Sequence, residues 1–216
     1  KDIERNKVVH RDTREIRETL WLRDISRWAT DITQSLDQIA QKWVDHTRET
    51  RSDNAADMLR ESLCLFDWTV RNVQLVSARD AVADQVSEFP EFEGILGPGY
   101  SQLPDDSVLL GSADVWERAQ VFLELLRQRK IPAAVLAFRE GESLKLWACG
   151  VAIEGEVYVM DPALGLPLAI FEKGRLATLT ELVASADLFR SYDVGTELRY
   201  DVEASQLDGL VALISA

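Results

Sequence analysis

A chain of 216 residues, 46% hydrophobic and 28% charged, holds enough apolar material for one core and a small helical appendage. Its formal net charge is −13 and its basic residues are dispersed, which argues against a nucleic-acid partner, because phosphate binding needs a concentrated basic face. Its two cysteines, Cys64 and Cys149, form no C-x-x-C pair and its only histidines are His10 and His46, so no metal motif and no cofactor are expected; the thiols read as small buried hydrophobes.

The chain opens with Lys1 and KDIERNK, which is neither an initiator methionine nor a signal peptide. A piece of a larger protein is expected, and the compartment stays open. No apolar run approaches the ~20 residues of a membrane span, so no membrane insertion is expected within these residues.

From Arg11 to Arg48 an apolar stripe recurs at spacings of mostly three and four, through Ile16, Leu20, Ile25, Trp28, Ile32, Leu36, Ile39 and Trp43. It predicts one long amphipathic helix, or two with a slight break, with Trp28, Ile32, Ile39 and Trp43 buried on the core or across a homodimer. The segment RSDNAAD marks a boundary, and the expected division is residues 1–52 and 53–216. A second helix is predicted from Ala55 to Val73. An irregular stretch rich in Gly, Pro and acid extends from Ser77 to Gly111, a length that in a domain is often functional.

A third helix is predicted from Asp114 to Arg129, opened by the D-x-x-E spacing of a capping box at Asp114 and Glu117, with Val115, Ala119, Phe122 and Leu126 on its buried face. Three strands come next, Ala133–Phe138, Leu144–Ile153 and Glu156–Met160, the last two joined by a tight turn at Glu154-Gly155. The tail reads as a helix at Leu179–Ala186, a strand at Leu198–Val202 and a short helix at Leu207–Leu213. Helices first and an antiparallel sheet after give an α+β fold.

Three segments in order carry a resemblance. LCLFDWTVRNVQL (Leu63 to Leu75), WERAQVFLELLRQRKIPAAVLAF (Trp116 to Phe138) and LKLWACGVAIEGEVYVMDPALG (Leu144 to Gly165) resemble the motifs of the transglutaminase-like branch of the papain-like superfamily. The resemblance implies a transglutaminase-like core, helices packed on an antiparallel sheet, at 53–216. In that family a cysteine at the start of the third helix is the nucleophile, its thiolate favoured by the helix dipole and a histidine. The histidine lies on the second strand, and an aspartate on the third strand orients it.

This chain departs at the decisive places. The nucleophile position falls on Val115 or Trp116, and the histidine position on Leu146 or Trp147. None of these side chains can attack a carbonyl or accept a proton. Asp161 alone stays where the family keeps its orienting acid, and Asp-Pro also makes an ordinary strand-ending turn. Cys149 is the one candidate for a displaced nucleophile, because alternation along the strand puts Trp147, Cys149 and Val151 on one face. It lacks a helix N-terminus to lower its pKa, and His10 and His46 lie far away in sequence. Glu117 with Asp161 could be imagined as paired carboxylates, but Glu117 reads better as the capping partner of Asp114. Ser112 in GSADV does not form a G-x-S-x-G elbow.

The expectation is therefore a catalytically inactive domain that acts as an interaction or scaffold module, engaging a protein partner or a second copy through the N-terminal helix. The alternatives are a residual cysteine hydrolase or acyltransferase using Cys149, and a small-ligand or glycan-binding module in which Trp116 and Trp147 line the degenerate cleft.

Overall fold

The computed structural model describes residues 2–32, 36–76, 102–140, 143–195, 197 and 199–213. The N-terminal periodicity resolves into two helices, α1 (Asp2–Ile32) and α2 (Gln38–Thr50). Asp37 starts α2, its Oδ1 accepting from the backbone N–H groups of Ile39 (2.7 Å) and Ala40 (2.9 Å), two donors that no carbonyl of the helix can serve. Ser52 does the same for α3 (Asp53–Asn72), accepting from Ala55 N at 3.0 Å.

The expected stripe meets the core only in part, through Ile25, Leu36 and Trp43. Trp28 is 55% exposed and Ile39 59%, while Trp43 is half-buried; the side chain of Ile32 lies outside the described residues. The buried face instead carries Leu22, Ser26, Ala29 and Thr30 on α1 and Ala40, Val44 and Thr47 on α2. These also recur at three and four, on a neighbouring side of each helix. Small residues win there because α1 packs on α3 and on the third-helix segment, and Ala29 at 1% exposure leaves room for the backbones to approach. An apolar count favours the largest side chains, and the packing favoured the smallest.

Of the expected irregular stretch, residues 77–101 lie outside the described residues. The remainder, 102–111, is mostly helical. β1 (Gln74–Leu75) pairs in parallel with β2 (Ser112–Ala113), and α4 (Pro104–Leu110) lies just before β2. Gly111 ends α4 at φ +65°, a left-handed cap that costs a side chain-bearing residue more. The third helix is α5 (Val115–Gln128), and its capping box is present: Glu117 N–H donates to Asp114 Oδ1 (2.8 Å) and Asp114 N–H to Glu117 Oε2 (3.1 Å).

The sheet is built from β3 (Ala133–Glu140), β4 (Ser143–Ile153) and β5 (Glu156–Asp161), then β6 (Leu166–Pro167). A short ribbon, β7 (Ala169–Ile170) with β8 (Arg175–Leu176), leads to α6 (Leu179–Ala184), a 3-10 segment (Ala186–Tyr192), a second 3-10 segment (Ala204–Gly209) and β9 (Leu210–Leu213). Five strands pair antiparallel in the order β6-β5-β4-β3-β9. Glu154 and Gly155 both take positive φ (+47° and +84°), the turn geometry whose twist matches the flanking strands. The fold is mixed helix and antiparallel sheet, an α+β arrangement.

Two tail expectations are corrected. Residues 199–202 form no strand, and Leu198 lies outside the described residues. Leu210–Leu213 is a strand, not a helix, because it pairs with Val135–Phe138 on the free edge of β3. Pairing with an open edge outweighs the weak helical preference of four residues.

Core packing divides at the sheet. On one face Cys149, Val151, Ile153 and Met160 pack with α3 and α5 through Leu59, Leu63, Phe66, Ala119, Phe122 and Leu126. On the other, Phe138, Trp147, Val159 and Leu168 pack with Phe189, Val202 and Leu207 of the C-terminal segment. Among the described residues no helix is long and apolar enough to cross a membrane.

Candidate functional site

Val115 is the first residue of α5 and Trp116 the second, and both are half-buried. The capping box absorbs Glu117, whose Oε1 also accepts from Gln102 N at 2.6 Å. A helix start can bias a thiolate, but here it presents an isopropyl and an indole.

On β4 the register slips. Leu136 pairs with Ala148 and Ala137 with Leu146, so Trp147 has no partner on β3. This bulge re-aims the strand. Leu146 and Cys149 pack toward the helices, while Trp147 and Ala148 pack toward the C-terminal segment. The simple alternation that placed Trp147 and Cys149 on one face is thereby corrected. An extra residue shifts the count by one, and nothing in the local sequence announces it.

Trp147 and Asp161 do come together, through a residue that sequence reasoning did not single out. Trp147 Nε1 donates to Tyr200 Oη at 2.9 Å, and Tyr200 Oη donates to Asp161 Oδ2 at 2.5 Å. The other oxygen, Asp161 Oδ1, accepts from the backbone N–H groups of Ala163 (2.8 Å) and Leu164 (2.9 Å). These two bonds shape the turn after β5, completed by Gly165 at φ +73° with its N–H on Asp161 O. Asp161 is 3% exposed. Burial raises its pKa, against the opposing pull of Tyr200, Leu164 and Ala163, which favour the charged form. Burial also raises the Tyr200 phenol, and the adjacent Asp161 raises it further. The phenol is thus a fixed donor to the carboxylate and not a base.

The segment carrying Tyr200 is held in place. Arg190 donates to Tyr200 O (3.0 Å) and Val202 O (2.9 Å), and Tyr200 N–H donates to Asp193 Oδ1 at 2.8 Å. Stacked and tilted rings complete the support: Trp147 lies 5.1 Å from Phe138, and Tyr200 lies 5.8 Å from Phe189 and 5.7 Å from Tyr192.

Arg118 is a second residue that the sequence pattern did not flag. Its buried guanidinium donates to Pro162 O (2.9 Å) and Val70 O (2.7 Å), tying α5 to the end of α3 and to the turn after β5. Burial lowers its pKa.

Cys149 is fully buried, and burial together with the nearby Asp161 charge pushes its thiol pKa up. That is the reverse of an activated nucleophile. His46 is half-buried on α2, where it lines a polar recess of about 440 Å³. The side chain of His10 lies outside the described residues. The recess is framed by two ion pairs, Arg51 with Glu156 (3.0 Å) and Arg175 with Glu181. Arg175 holds Glu181 well below the usual carboxylate range, at about 2.

A second pocket, of about 400 Å³, opens against the Trp147–Tyr200–Asp161 chain. Leu146 and Leu164 also line it, with Lys145 and Arg199; Val115 and Trp116 are not among its walls. This pocket joins Trp147 with Tyr200, and not with Trp116.

No protein-family model matches the chain, and no curated protein matches it. A structural match is a proposed cysteine protease from Cytophaga hutchinsonii, 15% identical, with a TM-score of 0.35 over 68% of this chain and 48% of that one. The present chain thus spans about half the length of that protein. A likeness so loose carries no argument about what this chain does.

Proposed function

We propose that this chain is a transglutaminase-like domain that has lost its chemistry and serves as an interaction or scaffold module of a larger protein. The observation that carries the reading is the joint state of the positions that matter. Val115 and Trp116 stand at the start of α5, Leu146 and Trp147 stand on β4, and Asp161 is committed to Tyr200 and two backbone N–H groups. Among the described residues no imidazole stands beside this acid, which is engaged by a phenol and a turn. A cysteine route through Cys149 is disfavoured by its complete burial and raised pKa. The surface assigned to partners is the outer side of α1, where Ile16 (61%), Leu20 (42%) and Trp28 (55%) are exposed.

The chemical half is tested by incubating the protein with a glutamine substrate and a labelled amine, and separately with peptides. Neither incorporation nor hydrolysis above background is expected. Activity that disappears in Cys149→Ala would overturn the reading. The interaction half is tested by sedimentation of the wild type and of Ile16→Lys/Trp28→Lys. A wild-type dimer that the double substitution dissociates supports self-association through α1. A monomer in both cases rules out the homodimer and leaves a different protein as the partner.

A further inference from the structure

The 400 Å³ pocket has the size of a small-molecule site and a particular division of polarity. Its polar wall atoms are spoken for: the indole N–H of Trp147 and the hydroxyl of Tyr200 point along the chain that ends on Asp161. The walls offer an occupant aliphatic carbon and the half-buried ring of Tyr200, while Trp147, 4% exposed, adds little accessible surface. Leu164, 40% exposed, and Val194, 68% exposed, extend the apolar surface to the mouth.

The charged side chains on its walls are Lys145, Arg199, Asp201 and the buried Asp161. Lys145 Nζ sits 2.7 Å from Asp201 Oδ2, with those side chains 41% and 89% exposed. Such a solvated pair is worth little and is readily exchanged for another anion. Arg199 is exposed and makes no ion pair among the described residues. Asp161 does not cancel it directly, because its oxygens are already met by one O–H and two N–H donors.

We propose that this pocket binds a small aromatic or branched-aliphatic carboxylate, its apolar body against Leu146, Trp147, Leu164 and Tyr200 and its carboxylate on Arg199 and Lys145. A monoanion fits better than a phosphate: a doubly charged group would meet Asp201 and Asp161 with only two cations to balance four negative charges. A neutral ligand would leave the guanidinium unused. The pocket shares Leu146, Trp147 and Asp161 with the proposed degenerate centre but needs no acyl-transfer chemistry from them.

The test is titration of the whole chain with 3-phenylpropionate by ligand-observed NMR, beside 3-phenylpropan-1-ol of the same shape without charge. Saturable binding of the acid is expected, with the alcohol at least ~5-fold weaker. Arg199→Glu removes the anion contact and Val194→Asp charges the mouth. Both positions are exposed, so the fold is retained, as circular dichroism checks. Each should weaken the acid at least ~5-fold. Absence of saturable binding by ~10 mM, equal affinity for the alcohol, or indifference to both substitutions overturns the proposal. Because binding is read directly, its outcome is separate from any result on acyl transfer.

Discussion

Tyr200→Phe isolates the hydroxyl that joins Trp147 to Asp161. The ring remains, so its stacking on Phe189 and Tyr192 is kept and no cavity forms. Two hydrogen bonds go, one from a neutral indole and one to a carboxylate. Their net worth is about 1 kcal/mol and about 2 kcal/mol, and each leaves a buried partner unmet. Because Tyr200 borders the pocket and is half-buried, water can replace part of the loss, so about 2 kcal/mol is expected. For a chain of this size that lowers the thermal midpoint by about 4–8 °C. The pH dependence gives the sharper check. Burial raises the folded-state pKa of Asp161, so the native state binds its proton before the unfolded state does, and this group makes stability rise as pH falls through the raised value. Tyr200 opposes that rise by favouring the charged form. Without the phenol the carboxyl takes its proton sooner, and the neutral acid has no need of that donor. The penalty of Tyr200→Phe should therefore shrink as pH falls from neutral toward the raised carboxyl value. Urea unfolding across a series of pH values measures it. A penalty under about 0.5 kcal/mol, or one that grows on acidification, would refute the linkage of Tyr200 to a buried carboxylate.

The N-terminal packing separates two substitutions that an apolar count treats alike: Leu22→Ala should cost about 2–4 kcal/mol, while Trp28→Ala should stay within about 0.5–1 kcal/mol, both read from urea midpoints. Arg118→Met should lose about 2–3 kcal/mol despite keeping the aliphatic stem, since Val70 O and Pro162 O lose their donor; a neutral result in thermal unfolding would show those carbonyls to be otherwise satisfied. Neither Cys64 nor Cys149 should react with a thiol reagent in the native state, and both should react in denaturant. Glu181 has a depressed pKa, so its pairing with Arg175 contributes stability that is full above the ordinary carboxylate value of 4.5 and is lost as pH falls to about 2. Arg175→Met should remove that part of the acid transition in a pH titration followed by circular dichroism.

How much of this was legible depends on the range of each interaction. The caps of α5 and the Glu154-Gly155 turn use neighbours within a few residues, and the spacing D-x-x-E or a Glu-Gly pair between apolar runs announces them. The helix α5 and the strands β3, β4 and β5 follow from periodicity alone. On α1 two phases compete, and only the position of α3 and α5 decides whether Trp28 or Ala29 faces the core. Leu210–Leu213 failed for a similar reason: its conformation is set by Val135–Phe138, far back in the chain.

The candidate site lies at the far end of that scale. Asp161 was legible from the motif it closes, but its partner is not: Tyr200 lies 39 residues beyond Asp161 and 53 beyond Trp147. No periodicity links such positions. Nor does a pattern reveal that β4 carries one residue more than β3 across from it, and this single residue decides which side of the sheet Trp147 serves. If the bulge were absent, Trp147 would pack among the helices with Cys149, and Tyr200 would have no indole to meet. The bulge, the turn after β5 and the clamp of Arg190 on residues 200 and 202 thus form one arrangement. Its product is a buried acid held by a phenol beside an open pocket. The three donors on that acid fix its orientation, and the surfaces beside it, the Tyr200 ring, Leu146, Leu164 and the Arg199 guanidinium, line the pocket.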